Sequence, residues 1–155
     1  MAIQIFISHS VAPRELAIVN VVADIAASKG VVPIISHRDW IPNEKLPLHI
    51  ESGISLSNYV IGIVTQNGHH LDWVKAEISY AKKLNKPILI LADVNIKIPS
   101  EYKVIYINRR APFETISITS SEIQKLINDE KIRYIIGGFI ITGLVLLLLF
   151  SLKGE

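Results

Sequence analysis

Short runs of continuously apolar residues, separated by segments of helical periodicity, restrict the fold of this chain more than any other feature. The strand-like runs are Ile3–Ser8, Val31–Ile35, Tyr59–Thr65, Pro87–Leu91 and Val104–Ile107. Strands that are apolar along their whole length, rather than at alternate positions, are typical of a parallel sheet covered on both faces. The pattern therefore predicts an α/β fold with helices between the strands.

Helical segments fill the intervals between these runs. Residues Pro13–Ser28 carry apolar side chains at helical spacing, and Gly30 suits the position just past the end of that helix. Leu48–Leu56 predicts a second, short helix, and a third helix, capped by Asp72, is expected to run to about Asn85. Five strands in this arrangement favour a flavodoxin-like sheet with strand order 2-1-3-4-5.

Ligands of such sheets bind in the crevice beyond the carboxyl ends of the strands. The loops that follow the first three predicted strands are Ser8–Ala12, Ser36–Pro47 and Gln66–Leu71. We therefore expect a functional site to draw its side chains from these three loops and from the helices that they open.

The C-terminal part of the chain has a different character. Tyr134–Leu152 contains 19 uncharged residues, 14 of them apolar. As a helix it would be about 28 Å long, close to the ~30 Å hydrocarbon core of a bilayer. Lys125, Lys131 and Arg133 precede it and only Lys153 follows. The positive-inside rule then predicts a single-pass C-terminal membrane anchor with the N-terminal domain in the cytoplasm. A buried C-terminal helix is the alternative.

The segments combine into a simple domain organisation. Residues 1–118 are expected to form the α/β domain, 119–133 a polar connecting helix opened by Thr119 and Glu122 as a capping box, 134–152 the transmembrane helix and 153–155 a short tail. Met1–Ile7 lacks the basic start, long apolar stretch and cleavage site of a signal peptide.

Composition excludes several classes of function. The formal net charge is only +2 and the basic residues are scattered, so we expect no nucleic-acid partner. The chain contains no cysteine, which excludes disulfides and thiolate metal sites. The adjacent His69 and His70 have no third ligand at a suitable spacing, so we expect no metal. Neither a P-loop nor a G-x-G-x-x-G motif occurs.

Glu77 is the candidate catalytic residue. Its neighbours three and four residues away are Trp73, Val74, Tyr80 and Ala81, none of them cationic, so no ion pair within the helix explains it. The pattern places the carboxylate between two aromatic side chains, where desolvation is costly unless something there uses the charge. A solvated glutamate near a helix N-terminus is the alternative, and the pattern alone does not choose between the two.

Trp40 lies in the loop after the second predicted strand. An indole in that place is able to stack on a flat ring of a ligand or to close over the core of the domain, and the second is the more common fate of a tryptophan. Both interpretations stay open from the sequence.

Four segments, in order, resemble a TIR domain. Ile5–Ser10 is similar to the first-strand box of bacterial TIR proteins, and Ser36–Trp40 falls where that family has the end of its second strand and its BB loop. Asp72–Ile78 resembles the family's W-x-x-x-E segment, and Pro87–Leu91 resembles its fourth strand. The resemblance covers roughly residues 1–110 and does not include the apolar C-terminal run.

The resemblance implies a function. Many TIR domains cleave the nicotinamide–ribose bond of NAD⁺, and by position Glu77 corresponds to their catalytic glutamate. Ser10, Trp40, Asn67 and Trp73 are then expected to bind the substrate. NAD⁺ is consumed in this reaction, so no separate cofactor is expected. Self-association through TIR surfaces is also implied, and the whole chain is expected to be a membrane-anchored defence or cell-death effector.

Two other functions stay open. The first is a non-enzymatic TIR–TIR interaction module anchored to the membrane. The second is a nucleoside-cleaving enzyme related to the deoxyribosyltransferases, which share a similar fold and use a glutamate. The presence of Glu77 favours an enzyme over the interaction module.

Overall fold

A computed structural model describes residues 2–41 and 45–138 of the chain. Its regular elements alternate between strands and helices over most of that length. In chain order they are β1 (Gln4–Ser10), a 3₁₀ turn (Pro13–Glu15), α1 (Leu16–Ser28), β2 (Val32–Ile35), α2 (Leu48–Leu56), β3 (Tyr59–Val64), α3 (Leu71–Lys83), β4 (Ile88–Asp93), β5 (Lys103–Ile107) and α4 (Pro112–Gly138).

The five strands form one sheet in the order β2-β1-β3-β4-β5. Every pairing is parallel. The predicted α/β class and the predicted strand order are therefore confirmed. Because the strands are parallel, all five carboxyl ends meet at one edge of the sheet, where Ser10 at the end of β1 pairs in register with Val64 at the end of β3.

The two faces of the sheet are covered by different helices. On one face, Phe6, Val60 and Ile90 pack in a common cluster with the buried sides of α2 and α3. On the other face, Leu91 and Ile107 lie beneath α1 and the first half of α4. The strands between them are buried on both sides, which is the physical reason for their unbroken apolar runs.

Helix ends agree less closely with the predictions than the strands do. Gly30 has φ +76° directly after α1, as expected of a glycine that terminates a helix. Asp72 was predicted as a cap, but α3 begins at Leu71 and places Asp72 inside its first turn. That prediction is wrong, although an acidic residue there still favours the helix dipole.

The last helix starts earlier than its predicted capping box. α4 begins at Pro112, so Thr119 lies inside the helix, where its hydroxyl donates to the carbonyl of Thr115 at 2.7 Å. In the turn before the helix, the side-chain oxygen of Asn108 accepts the backbone N–H groups of Arg110 and Ala111. The predicted capping box at Thr119 is therefore wrong, and the helix follows a turn held by Asn108.

The chain divides into two compact units, residues 1–124 and 125–155, and the whole sheet belongs to the first. Within residues 2–41 and 45–138 no helix has the length and apolar character needed to cross a bilayer. The greater part of the predicted transmembrane segment, residues 139–152, lies outside the described residues. The membrane segment and the predicted domain boundaries stay predictions.

Candidate functional site

Glu77 lies on the buried stripe of α3. The other buried positions of that helix are Val74, Ile78 and Ala81, which face the apolar cluster. Glu77 shares this face at 0% exposure. A charged residue is almost never buried completely unless it is paired, so the neighbours of this carboxylate determine what it is able to do.

The partners of Glu77 come from the loop that follows β2. Its Oε1 accepts a hydrogen bond from Ser36 Oγ at 2.7 Å and an ion-paired one from Arg38 Nη1 at 2.5 Å. Arg38 Nη1 also donates to Ser36 Oγ at 2.7 Å, and Arg38 Nη2 donates to the backbone carbonyl of His9 on β1. The carboxylate is thus bound by the loop after β2, and Arg38 links it to the end of β1 at the carboxyl edge of the sheet.

This arrangement differs from the predicted one. The inference that no cation within α3 pairs with Glu77 agrees with the structure, but Arg38 supplies a cation from another element. Tyr80, expected to flank the carboxylate, instead brings its hydroxyl within 3.4 Å of Ser55 on α2. The main partner of the carboxylate is therefore Arg38, a cation from the loop after β2, rather than a pair of aromatic rings.

Burial and the neighbouring donors act on the pKa of Glu77 in opposite directions. Desolvation raises the pKa and is the larger effect, while Arg38 and Ser36 lower it. Ser8 also lies close enough to lower it, although Ser8 Oγ does not reach hydrogen-bond geometry. The net result is a pKa above that of an ordinary glutamate, as in many catalytic carboxyl groups.

Several buried polar atoms around Glu77 have no partner in the described part of the chain. They are Glu77 Oε2, Ser8 Oγ, His9 Nδ1, Arg38 Nε, Trp40 Nε1 and His70 Nδ1. Buried polar atoms in folded proteins are nearly always hydrogen-bonded to protein or water. Such a concentration of unsatisfied atoms at one edge of the sheet marks a polar site whose capacity for hydrogen bonds is only partly used.

His9 is a buried neutral group of this site. Burial, and then the positive charge of Arg38, lower its pKa to about 4. The ring therefore carries no charge at pH 7. It contributes hydrogen-bonding atoms to the site and adds no second cation beside Arg38.

Trp40 and Trp73 form an aromatic pair near the start of α3. Trp73 Nε1 donates to the backbone carbonyl of Trp40 at 2.8 Å, and the two rings meet edge to face with centroids 6.2 Å apart. His70 packs edge-on against Trp73 at 4.9 Å. Trp40 is buried in the apolar cluster, so its indole closes over the core, which was one of the two open interpretations.

Ser10 is engaged by the loop between β3 and α3. Its Oγ accepts the backbone N–H of His70 at 3.0 Å, and its carbonyl accepts the N–H of Thr65 at 3.0 Å. Gly68 lies so close above it that a side chain there would overlap the carbonyl oxygen of Ser10. Ser10 is therefore buried under this loop and holds it in place.

Asn67 lies apart from the Glu77 cluster. It lines a cavity of about 500 Å³ together with Pro13, Arg14 and His69. A second, apolar cavity of about 330 Å³ lies on the other face of the sheet, under α1 and the first half of α4. Glu77 lines neither cavity. Trp40 and Trp73 are in direct contact, and His70 links Trp73 to Ser10. The substrate-binding roles of these residues and of Asn67 stay predictions.

Sequence reasoning missed a second charged network at the same edge. Arg109 donates to both carboxylate oxygens of Asp93, at 2.9 and 2.8 Å, and pairs with Glu15 at 2.8 Å. Thr65 Oγ1 donates to the other oxygen of Glu15 at 2.7 Å. The bond from Arg109 lowers the pKa of Asp93, and the bonds from Thr65 and Arg109 lower the pKa of Glu15. Because the charged groups of Arg109, Asp93 and Glu15 bind one another, we interpret this network as structural.

Arg38 and Ser36 are the partners of Glu77 that the sequence did not single out. A usable signal existed, because Ser36, His37 and Arg38 are consecutive polar residues directly after an apolar strand. In a 2-1-3-4-5 sheet, the end of strand two lies beside the end of strand one, at the predicted site.

The fold of this chain is similar to that of a solved structure. The chain is similar to the sugar isomerase domain of the RpiR transcription factor from Sphaerobacter thermophilus, with a TM-score of 0.53 and 10% sequence identity. The match covers 84% of this chain and 79% of that one. At this identity the likeness concerns the fold alone. No curated protein matches the chain at a significant level.

Family membership follows from the sequence as a whole. The family model described as TIR domain matches residues 5–127, which include the sheet from the second residue of β1 onward, the buried Glu77 and its partners Ser36 and Arg38. The resemblance noted in four separate segments thus extends over most of the chain. This chain belongs to the TIR domain family.

Proposed function

We propose that this TIR domain cleaves the bond between nicotinamide and ribose in NAD⁺, with Glu77 as the catalytic residue. The observation that carries the proposal is the state of the Glu77 carboxylate. It is fully buried at the carboxyl edge of a parallel sheet, one oxygen is held by two donors, and the other has no partner among the described residues. Ligands of this fold class bind at that edge.

The chemistry suits a site with one prominent carboxylate. Nicotinamide in NAD⁺ is a cationic heterocycle that departs as a neutral molecule, so its departure requires no acid. Positive charge develops on the ribose as the bond breaks, as in glycoside cleavage. A preorganised carboxylate in a desolvated site stabilises that charge more strongly than water does. Water attack then gives ADP-ribose and a proton, and attack by the adenine gives a cyclic product.

Membership of the TIR family supports the proposal, because the family includes NAD⁺-cleaving enzymes. Ser10, Trp40, Asn67 and Trp73 are the proposed substrate-binding residues. We further propose that the chain self-associates, as TIR domains commonly do, and that residues 134–152 anchor it in a bilayer with this domain in the cytoplasm. Such an anchored enzyme suits a defence or cell-death effector.

A specific observation favours the alternative of a non-enzymatic interaction module. The ion pair with Arg38 gives Glu77 a structural role that needs no substrate.

A substrate panel separates these functions. The full chain in lipid vesicles is incubated with NAD⁺ and, separately, with deoxyribonucleosides, and the released bases are quantified by chromatography. The proposal predicts nicotinamide from NAD⁺ and no base from the nucleosides. Base release from the nucleosides alone supports the transferase-like enzyme, and release from neither supports the interaction module.

A further inference from the structure

Glu77 is held asymmetrically. Both of its donors, Arg38 Nη1 at 2.5 Å and Ser36 Oγ at 2.7 Å, bind the same oxygen, Oε1. The other oxygen, Oε2, is buried and has no hydrogen-bond partner within the described residues. We infer that Arg38 is a positioning residue that fixes Oε1 so that Oε2 is presented to the reacting sugar.

Arg38 is itself fixed on two sides. Its Nη1 contacts Glu77 and Ser36, and its Nη2 donates to the backbone carbonyl of His9 on β1. Its side chain is only 12% exposed. A guanidinium is a planar fork with fixed donor directions, so one arginine is able to span a carboxylate and a strand carbonyl at the same time. Arg38 thereby fixes the orientation of Glu77 relative to the backbone of β1.

The charge of Arg38 matters as much as its shape. A buried carboxylate without a cation tends to hold a proton, because desolvation disfavours its charged form. Glu77 already has a raised pKa with Arg38 in place. The other titratable groups that face Arg38 are His9 on β1 and His70 before α3, and burial lowers the pKa of both. Arg38 is therefore the cation that opposes the effect of burial and favours the ionised form of Glu77.

Two substitutions separate the effect of the shape of the Arg38 side chain from the effect of its charge. The inference rests on the proposed function only for the measurement of the reaction rate. Arg38→Met removes the charge and keeps an unbranched side chain, while Arg38→Lys keeps the charge and loses the fork. The pKa of Glu77 is measured directly by the pH titration of its ¹³C-labelled side-chain carboxyl in NMR, with Glu77→Gln to assign the signal. Arg110→Met, at an exposed arginine after β5, is the matched control.

We expect the titration midpoint of Glu77 to rise by about 1–3 pH units in Arg38→Met, since an adjacent cation lowers a carboxyl pKa by that amount. Arg38→Lys should give a smaller rise, and Arg110→Met none. The acid limb of the nicotinamide-release profile should move with the midpoint. We expect kcat to fall and KM to stay within about twofold, because Arg38 holds the carboxylate rather than the substrate.

The outcomes distinguish this inference from the proposed function. An unchanged Glu77 midpoint in Arg38→Met overturns the inference. If Arg38→Met does not fold, an unchanged midpoint in Arg38→Lys, together with an unchanged kcat, overturns it instead. A shifted midpoint in a chain that releases no nicotinamide overturns the proposed function and leaves Arg38 as the residue that holds Glu77.

Discussion

A buried ion pair is the central feature at the scale of single residues. Glu77 and Arg38 are both largely removed from water, and removing one partner of such a pair leaves an uncompensated charge. A well-packed apolar pair is often at least as stable, so stability alone gives little reason to keep these charges. Under the proposed function, the unsatisfied atoms around them supply a reason, because they would form hydrogen bonds to the substrate.

His9 gives a pH-dependence prediction at this scale. Its pKa is about 4 in the folded chain, against about 6.5 in the unfolded chain. Between these values the unfolded chain binds the additional proton. The stabilising contribution is therefore complete above pH 6.5 and is lost as the pH falls towards 4, by about 3 kcal/mol in total. His9→Gln should flatten the dependence of the free energy of unfolding on pH in this range.

The measurement is urea unfolding at several pH values between 4 and 7. Leu56→Gln, at a leucine that is 71% exposed on α2, introduces the same side chain at a site without a titratable group and should leave the slope as it is in the wild type. An equal slope in His9→Gln and in the wild type would show that His9 is not buried in its neutral form.

At the scale of elements, the loop between β3 and α3 is held down on the end of β1. Ser10 binds this loop through the backbone N–H groups of Thr65 and His70. Gly68 allows the close approach because it has no side chain to meet the Ser10 carbonyl. The loop in turn places His70 against Trp73, so the position of the loop determines where the His70 ring lies beside Trp73.

Gly68→Ala tests this contact. The added methyl group overlaps backbone atoms, so the loop has to move, and we expect the free energy of unfolding to fall by about 1–3 kcal/mol. The amide signals of Thr65 and His70 should shift in an NMR spectrum. His69→Ala, at an exposed neighbour in the same loop, should change neither the free energy of unfolding nor the Thr65 amide signal. A fully stable Gly68→Ala with unshifted amides would contradict the described contact.

Particular elements show how much the sequence predicts. The three central strands, β1, β3 and β4, were predictable because each is buried on both faces and so carries a mostly apolar run. Glu77 was predictable as a candidate because no neighbour on its own helix explains it. The partner Arg38 was not, since it lies 39 residues away and the pattern rules for a helix reach only three or four. The start of α4 was missed because Asn108 orders the turn before it.

At the scale of the whole molecule, the apolar C-terminal run gives the remaining prediction. The full chain should float with lipid vesicles in a density gradient. Leu144→Arg combined with Leu147→Arg should abolish flotation, because each arginine near the middle of a membrane helix costs about 2.5–3.5 kcal/mol of insertion. Leu56→Arg, at a leucine that is 71% exposed on α2, is the control and should float as the wild type does. Flotation of the double variant would contradict the proposed anchor.

The account depends most directly on the carboxylate of Glu77. We would compare the initial rate of nicotinamide release from NAD⁺ by the wild type and by Glu77→Gln at the same density on vesicles. Glu101→Gln, at an exposed glutamate paired with Lys82, serves as the control. The account predicts a rate about 10²–10³-fold lower in Glu77→Gln, the loss expected when a preorganised electrostatic group is removed. Equal rates in Glu77→Gln and in the wild type would contradict it.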